Sequence, residues 1–430
     1  MKGVFSIKSS LNRVRLIIAL LAIGVFALKL VAIPHPWPSI PPEQCIDEAK
    51  SECAFVFDEV HYIRAVRKMM NGDWKVNLEH PPLTKFLIML GLHLLGDNPW
   101  GWRIFPALSG AASIYLVGLI AYQLTRDEKI PLTAAALYGF DITSFNLSTI
   151  AMLDSTTLMF SLLGILLYLR KKRYLAGLSF GLALLSKLTA AFILTSILFV
   201  ELVVNLLQDN NHKEILRKWV NTLERVGFTA FIFFVAILWI YDYQFNLYRT
   251  PFEHLDFMLR YHGEMLGPNP EEGAPPLSWT NPLFQFPRRS YYVVAVSVDN
   301  LKTYHPIAYY GLQTPLWWMT WVVIGYSLYI LIMELRRGRI PLTELLILSW
   351  ISFTYLIYFL IALLRPVYPF YFYMTVPAIA IEFSKMLRGD RISELVLYFI
   401  LAVQILYFII YFPVKAQWFI DLLLLLGVPA

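Results

Sequence analysis

Long, almost uninterrupted apolar runs set the pattern of this chain. Leu16–Ile33 and Ile340–Leu364 are each long enough to cross a hydrocarbon core of about 30 Å, which takes about 20 helical residues. The same reading along the chain predicts about eleven spanning segments, at 14–33, 103–123, 131–146, 153–169, 174–187, 188–206, 226–243, 315–333, 341–364, 367–386 and 394–412. The third and fifth are short, and the break at Ser186 and Lys187 rests on charge rather than on a turn signal. The first segment reads as a retained span. It is too long for a cleaved signal peptide, and Pro34, His35, Pro36 and Trp37 stand where small residues would precede cleavage. The expected fold is an all-α integral membrane protein, with no internal repeat and no separate soluble domain.

Composition supports this. Of 430 residues 58% are hydrophobic and 15% charged, against about 25% charged in a typical soluble domain. Mean hydropathy is +0.57. A soluble domain, a disordered chain and a coiled coil are excluded. The net charge of +6 has a topological reading rather than a nucleic-acid one, because Lys and Arg collect in cytoplasmic loops. With the N-terminus inside, the cytoplasmic loops carry Arg126 and Lys129, then Arg170, Lys171, Lys172 and Arg173, then Lys213, Arg217, Lys218 and Arg225, then Arg336, Arg337 and Arg339, and finally Lys385, Arg388 and Arg391. Two long loops, 34–102 and 244–314, are then left on the outer face of the cell membrane. Cys45 and Cys53 both fall in the first, where a disulfide and two free thiols are both open readings.

Ionisable groups are expensive in a bilayer, so their positions are informative. On this topology Asp58, Glu59, His61, His80, Lys85, Arg103, Asp154, Lys187, His254, Asp256 and Arg365 all lie in outer loops or at outer helix ends. Asp141 is the doubtful case nearer the midplane. A transporter more often keeps its coupling residues at the midplane; charges on one rim point instead to chemistry at the membrane–water interface. In the first loop, Val60, Ile63, Val66 and Met69 share a face at helical spacing with a basic side opposite, as in a helix lying in the interface. Asp58 at its start is either an N-cap or a reactive acid, and Glu59 suits the helix dipole as well as chemistry. Pro81 and Pro82 predict a second short helix from Leu83. His80 could anchor that turn, and Lys85 could snorkel toward headgroups. Arg103, Lys187 and Arg365 from three segments would together form an anion site, with Arg as a bidentate fork and Lys as a point charge.

These motifs resemble those of the dolichyl-phosphate-mannose–protein mannosyltransferases of the GT-C superfamily. Asp58 and Glu59 are similar to the family's paired acids. His80-Pro81-Pro82-Leu83-Thr84-Lys85 is similar to its histidine–proline–proline–leucine–glycine–lysine stretch, with threonine in place of glycine. Trp102-Arg103 followed by Pro106–Gly110, then Leu153-Asp154-Ser155 and Ser186-Lys187, also match. Weaker counterparts are Ser278-Trp279 with Pro282 and Arg288, and Gly311 with Pro315, Trp317 and Trp318. The resemblance implies a GT-C bundle that transfers mannose, or a related hexose, from a polyprenyl phosphate to Ser or Thr hydroxyls with inversion. It implies Asp58 as the base with Glu59 beside it, and Arg103 and Lys187 on the donor phosphate; Arg365 is added from its position. The family's large lumenal domain has no counterpart here. The 244–314 loop is therefore expected to face the acceptor, and an archaeal source is expected.

Partners on this reading are the lipid-linked sugar, an acceptor protein or peptide and membrane lipids, with no nucleic acid and a dimer left open. No cofactor is required. A divalent metal is also left open, with His254 and Asp256 as weak ligands. The leading alternative is a GT-C transferase that uses the same kind of donor to glycosylate a lipid or a cell-surface glycan.

Overall fold

The structure, a computed structural model, describes residues 2–47, 50–264, 274–284 and 306–427. Arg288 lies outside them. The helices are α1 (Lys2–Ala32), α2 (Glu59–Met70), α3 (Leu83–Leu95), α4 (Pro99–Thr125), α5 (Lys129–Gly139), α6 (Ile142–Leu147), α7 (Leu153–Leu169), α8 (Arg173–Ser186), α9 (Ala190–Gln208) and α10 (His212–Thr222). They continue with α11 (Thr229–Phe245), α12 (Pro251–Glu264), α13 (Pro315–Trp318), α14 (Thr320–Arg336), α15 (Leu342–Ile351), α16 (Ile357–Ile361), α17 (Val376–Met386), α18 (Arg391–Ile410) and α19 (Gln417–Leu425). Among the described residues the only isolated β-bridge pairs Ile307 with Val414.

Among the described residues six stretches are long and apolar enough to cross a membrane: Asn12–Ala32, Pro99–Thr125, Ala190–Gln208, His212–Phe245, Leu342–Ile361 and Arg391–Ile410. The chain is a multi-pass membrane protein. The other expected spans are shorter or broken, and the breaks have local causes. The segment expected at 131–146 divides into α5 and α6 because the Asp141 side chain caps α6, accepting from the Ser144 amide at 2.8 Å. The one expected at 367–386 opens as a tight 3-10 turn, Pro369–Met374, before α17 begins. Pro366, Pro369 and Pro377 each lack the N–H that a continuous helix would use there. The one expected at 226–243 runs on backwards to His212 through a π-helical turn at Leu223–Phe228.

Buried polar groups join the bundle near its functional end. Lys29, unremarked in the apolar pattern of α1, is fully buried, and its ammonium donates to Phe145 O (2.7 Å), Ser148 Oγ (2.8 Å) and Thr149 Oγ1 (3.0 Å). Asp141 is also fully buried; beyond its cap it accepts from Thr314 Oγ1 at 2.6 Å and Gln404 Nε2 at 3.1 Å. It is a structural joint between α6, α18 and the segment before α13. Satisfied in this way, neither group carries the full penalty of an unpaired polar atom in hydrocarbon.

The 34–102 loop is cross-linked by a disulfide between Cys45 and Cys53 and packed down by α2 and α3. Arg67 is buried in α2. It is paired with both carboxylate oxygens of Asp97 (2.8 and 3.0 Å) and lies over the rings of Phe55 and Trp102. The helix therefore docks on both sides. Glycine permits the tightest approach, between α3 and the start of α4: a Cβ on Gly91 would lie 2.0 Å from the Gly101 carbonyl oxygen. Because that neighbour is backbone, Gly91→Ala is expected to destabilise the fold by about 1–3 kcal/mol. Gly325→Ala, which meets nothing within 4 Å, should be neutral or mildly stabilising; thermal unfolding of the two variants in detergent makes the comparison.

Candidate active site

Adjacent acids at the start of α2 have opposite fates. Glu59 is fully buried, and both of its oxygens are taken. Oε1 accepts from Arg103 Nε (2.7 Å) and the Ala151 amide (2.8 Å); Oε2 accepts from Arg103 Nη2 (2.8 Å) and the Val56 amide (2.8 Å). Arg103 is equally committed. Its Nη1 donates to the carbonyls of Ile33 (2.8 Å) and His35 (2.6 Å), and Tyr309 Oη donates to the same His35 oxygen at 2.9 Å. Two expectations are thereby corrected. Glu59 has no lone pair left for catalysis, and Arg103, fully buried with its donors engaged, does not offer a fork to phosphate. Together they form a clamp that holds the end of α1, the first loop and the residues before α7 onto α4.

Asp58, one residue earlier, is bonded to none of these. Its position invites an N-cap, yet its side chain makes no capping hydrogen bond. Phe57, just before it, is held at φ 54°, the left-handed region that a residue with a bulky side chain rarely adopts. The Phe57 ring packs edge-on against Phe370 at 5.2 Å. The half-buried Asp58 carboxyl is pushed above the ordinary carboxylate range, first by loss of solvent and further by Asp154, against the opposing pull of Lys187 and His61.

Lys187 follows the last residue of α8 in extended conformation, and its ammonium reaches both oxygens of Asp154 in the first turn of α7, at 2.9 Å each. An ammonium has three N–H groups, so one remains to face the rings of Phe370 and Tyr371, 5.7 and 6.0 Å away. Arg365, half-buried in the turn after α16, joins from the other side: Nη2 donates to Tyr371 Oη and Nη1 to the His262 carbonyl, each at 3.2 Å. The structure thus gathers Asp58, Asp154, Lys187 and Arg365 at one end of the bundle, where helices distant in sequence meet.

Residues 77–80 form a strap along this site. Asn77 O and His80 O accept from the fully buried Lys85 ammonium, Leu78 O from His254 Nε2 at 2.9 Å, and Glu79 O from His262 Nε2 at 3.2 Å. Lys85 therefore does not snorkel; it holds a turn. His254 is buried, with its other nitrogen 2.7 Å from Asp242, while Asp256 is exposed and paired with Arg260 at 2.8 Å. These two weak metal candidates are corrected: both ring nitrogens of His254 are occupied, and the structure does not bring Asp256 to it. Among the described residues no group of three or more His, Cys, Asp or Glu is arranged to hold a metal. His61 is exposed on the first turn of α2, and the His80 ring lies 5.7 Å from Tyr62 and 5.3 Å from His262.

Residues 79–240 match the model of the dolichyl-phosphate-mannose-protein mannosyltransferase family. In sequence, then, the chain is similar to the protein mannosyltransferases. That stretch contains His80, Lys85, Arg103, Asp154 and Lys187, whereas Asp58 and Arg365 lie outside it. Over 112 residues the chain is 33% identical to a polyprenol-phosphate-mannose–protein mannosyltransferase of Mycolicibacterium smegmatis, a match covering 25% of this chain and 22% of that protein. Over 141 residues it is 30% identical to an undecaprenyl phosphate-alpha-4-amino-4-deoxy-L-arabinose arabinosyl transferase of Pseudomonas fluorescens, covering 31% and 21%. The matches thus span about a fifth of the length of these relatives. Both are bacterial and lend no support to an archaeal source. In fold, ArnT from Cupriavidus metallidurans, solved with undecaprenyl phosphate, aligns at a TM-score of 0.50 with 18% identity, over 88% of this chain and 62% of its own. The alignment shows a shared helical fold.

The Tyr371 and His262 contacts escaped the sequence reading. Tyr371 lies in a segment that reads as a plain span, and nothing in the spacing around His262 marks it. The clamp makes a direct prediction. Removing one partner of a buried ion pair typically costs about 3–5 kcal/mol, so Glu59→Gln and Arg103→Gln should each lower Tm sharply in detergent or fail to accumulate. Asp58→Asn, which breaks no hydrogen bond, should melt close to wild type.

Proposed function

We propose that this protein transfers mannose, or a related hexose, from a polyprenyl-phosphate donor to Ser or Thr hydroxyls of proteins on the outer face of the membrane, with inversion. The observation that carries this reading is Asp58: a carboxyl drawn out of water, with no hydrogen bond among the described residues, facing a lysine that still has an N–H to give. The sequence likeness to protein mannosyltransferases supports the donor class, and the arrangement of groups supports the reaction.

In the proposed step the acceptor hydroxyl oxygen attacks the anomeric carbon and its proton passes to the Asp58 carboxylate. The bond from that carbon to the phosphate oxygen breaks, and its electron pair leaves with the polyprenyl phosphate. A phosphate leaving group needs positive charge more than it needs an acid. Lys187 supplies that charge through its remaining N–H, held in place by Asp154, and Arg365 supplies it from the opposite wall. We propose the step without a metal ion, these two cations meeting the need. One carboxylate base on the face opposite the leaving group then serves for a single displacement. The outer-loop residues 244–314 are proposed to face the acceptor, with the N-terminus cytoplasmic.

The likeness to an arabinosyl transferase favours one second reading, in which the acceptor is a lipid or surface glycan. Incubating membranes with labelled polyprenyl-phosphate mannose separates the two: label in protease-sensitive polymer supports protein acceptors, whereas label in the lipid extract supports the rival. Asp58→Asn should abolish transfer in either case. Because burial raises the Asp58 pKa, its base form is lost at a higher pH than for an ordinary carboxylate near 3.9. The rate should therefore fall on acidification with a midpoint above that value. Arg365→Ala should raise the donor KM or lower kcat by about tenfold or more, consistent with loss of a charge-assisted contact; unchanged kinetics would remove Arg365 from the site.

A further inference from the structure

His80 is the one histidine at the site whose backbone is fixed and whose ring is free. The strap that carries it has all four of its carbonyls, from Asn77 to His80, held by side chains of α3 and α12. Such anchoring leaves the segment little room to swing, so the ring is placed in advance between Tyr62 and His262. Among the described residues neither ring nitrogen of His80 makes a hydrogen bond. The three neighbouring polar groups divide differently. His262 spends Nε2 on Glu79 O, His254 spends both nitrogens, and Lys85 is absorbed by the strap itself. His80 alone is both positioned and uncommitted.

The charge state of the ring limits what it can bind. Loss of solvent, then the positive charge of Lys187 and Lys85, with His262 and His61 adding to it, holds its pKa well below 6.5. A neutral imidazole offers one donor and one acceptor. Phosphate, which only accepts at neutral pH, uses half of that; a hydroxyl, which both donates and accepts, matches all of it. The cations suited to phosphate stand elsewhere, at Lys187 and Arg365.

We infer that His80 is a sugar-binding, specificity-determining residue that hydrogen-bonds a hydroxyl of the donor hexose, beside the phosphate site rather than in it. This rests on the glycosyl-transfer reading above and deepens it by naming the group that senses the sugar. A hexose epimer with that hydroxyl turned away would leave the imidazole without a partner, which is how a polar site rejects a near-isostere.

The test compares binding of two lipids, polyprenyl phosphate and polyprenyl-phosphate mannose, to the full chain in detergent or nanodiscs. The wild type should bind the mannosylated lipid more tightly. His80→Ala should weaken binding of the mannosylated lipid by about tenfold, the scale of one lost neutral hydrogen bond, and leave the bare lipid unchanged. His80→Gln, a neutral side chain with donor and acceptor, should restore most of the difference. In a set of deoxy-mannose donors, one position should lose affinity for the wild type and lose nothing further for His80→Ala. Equal weakening of both lipids would put His80 on the phosphate and overturn the inference. So would a wild-type preference for the mannosylated lipid that His80→Ala retains in full, although the glycosyl-transfer reading would then survive. A wild type with no preference for the mannosylated lipid would instead bring down that underlying reading. Should His80→Ala fail to fold, the Gln variant and the deoxy series carry the same comparison.

Discussion

A carboxylate and a guanidinium shut away from water, Glu59 against Arg103, govern the functional end of this bundle. Each would be ruinous alone at such a depth. Together, with two backbone amides on the acid and several carbonyls on the base, they tie four stretches of chain that sequence leaves far apart. The consequence for chemistry is indirect. The first amides of α2 are taken by the backbone carbonyls of Val56, Phe57 and Asp58 itself, so Asp58, although it stands at the N-cap position, keeps its carboxyl unspent. The left-handed turn at Phe57 belongs to the same arrangement, since the chain must bend sharply there for one acid to point inward to the clamp and its neighbour toward Lys187.

Much of this could be read before any coordinates. The apolar runs located α1, α4, α9 and α18, and the prolines at 81 and 82 placed the start of α3 at Leu83, where it begins. Of the charged residues singled out in sequence, Asp58, Asp154, Lys187 and Arg365 lie close together in space, whereas Asp256 is exposed and paired with Arg260. What failed was the assignment of roles within the group. A pair of neighbouring acids carries no mark of which one is buried and bonded; that depends on Arg103, 44 positions from Glu59, and on amides that sequence does not display. Arg103 was misjudged for the same reason, since an arginine at a helix start looks alike whether it faces a ligand or a partner. The breaks at Asp141 and Pro369 were missed because hydropathy averages over a cap or a proline that interrupts the helix without making it polar. Lys29 was overlooked in an otherwise apolar stretch, its partners being neutral oxygens on α6 and in the residues just after it.

The division of labour at the site follows from solvation. Groups whose partners are backbone carbonyls, such as Lys85, shape the backbone; Asp58, Lys187 and His80 are the ones a substrate can address. Burial and the number of hydrogen bonds do not separate the two lysines, since each is buried with two; they differ in their partners, two strap carbonyls for Lys85 and the Asp154 carboxylate for Lys187.

The two histidines of α12 that grip the strap bear on how this protein could be re-engineered. Through Leu78 and Glu79, α12 braces the wall on which His80 is mounted. It is not a detachable module. A chimera that imported another relative's version of this region to change the acceptor would also loosen the opposite wall, unless the matching residues of the strap travelled with it.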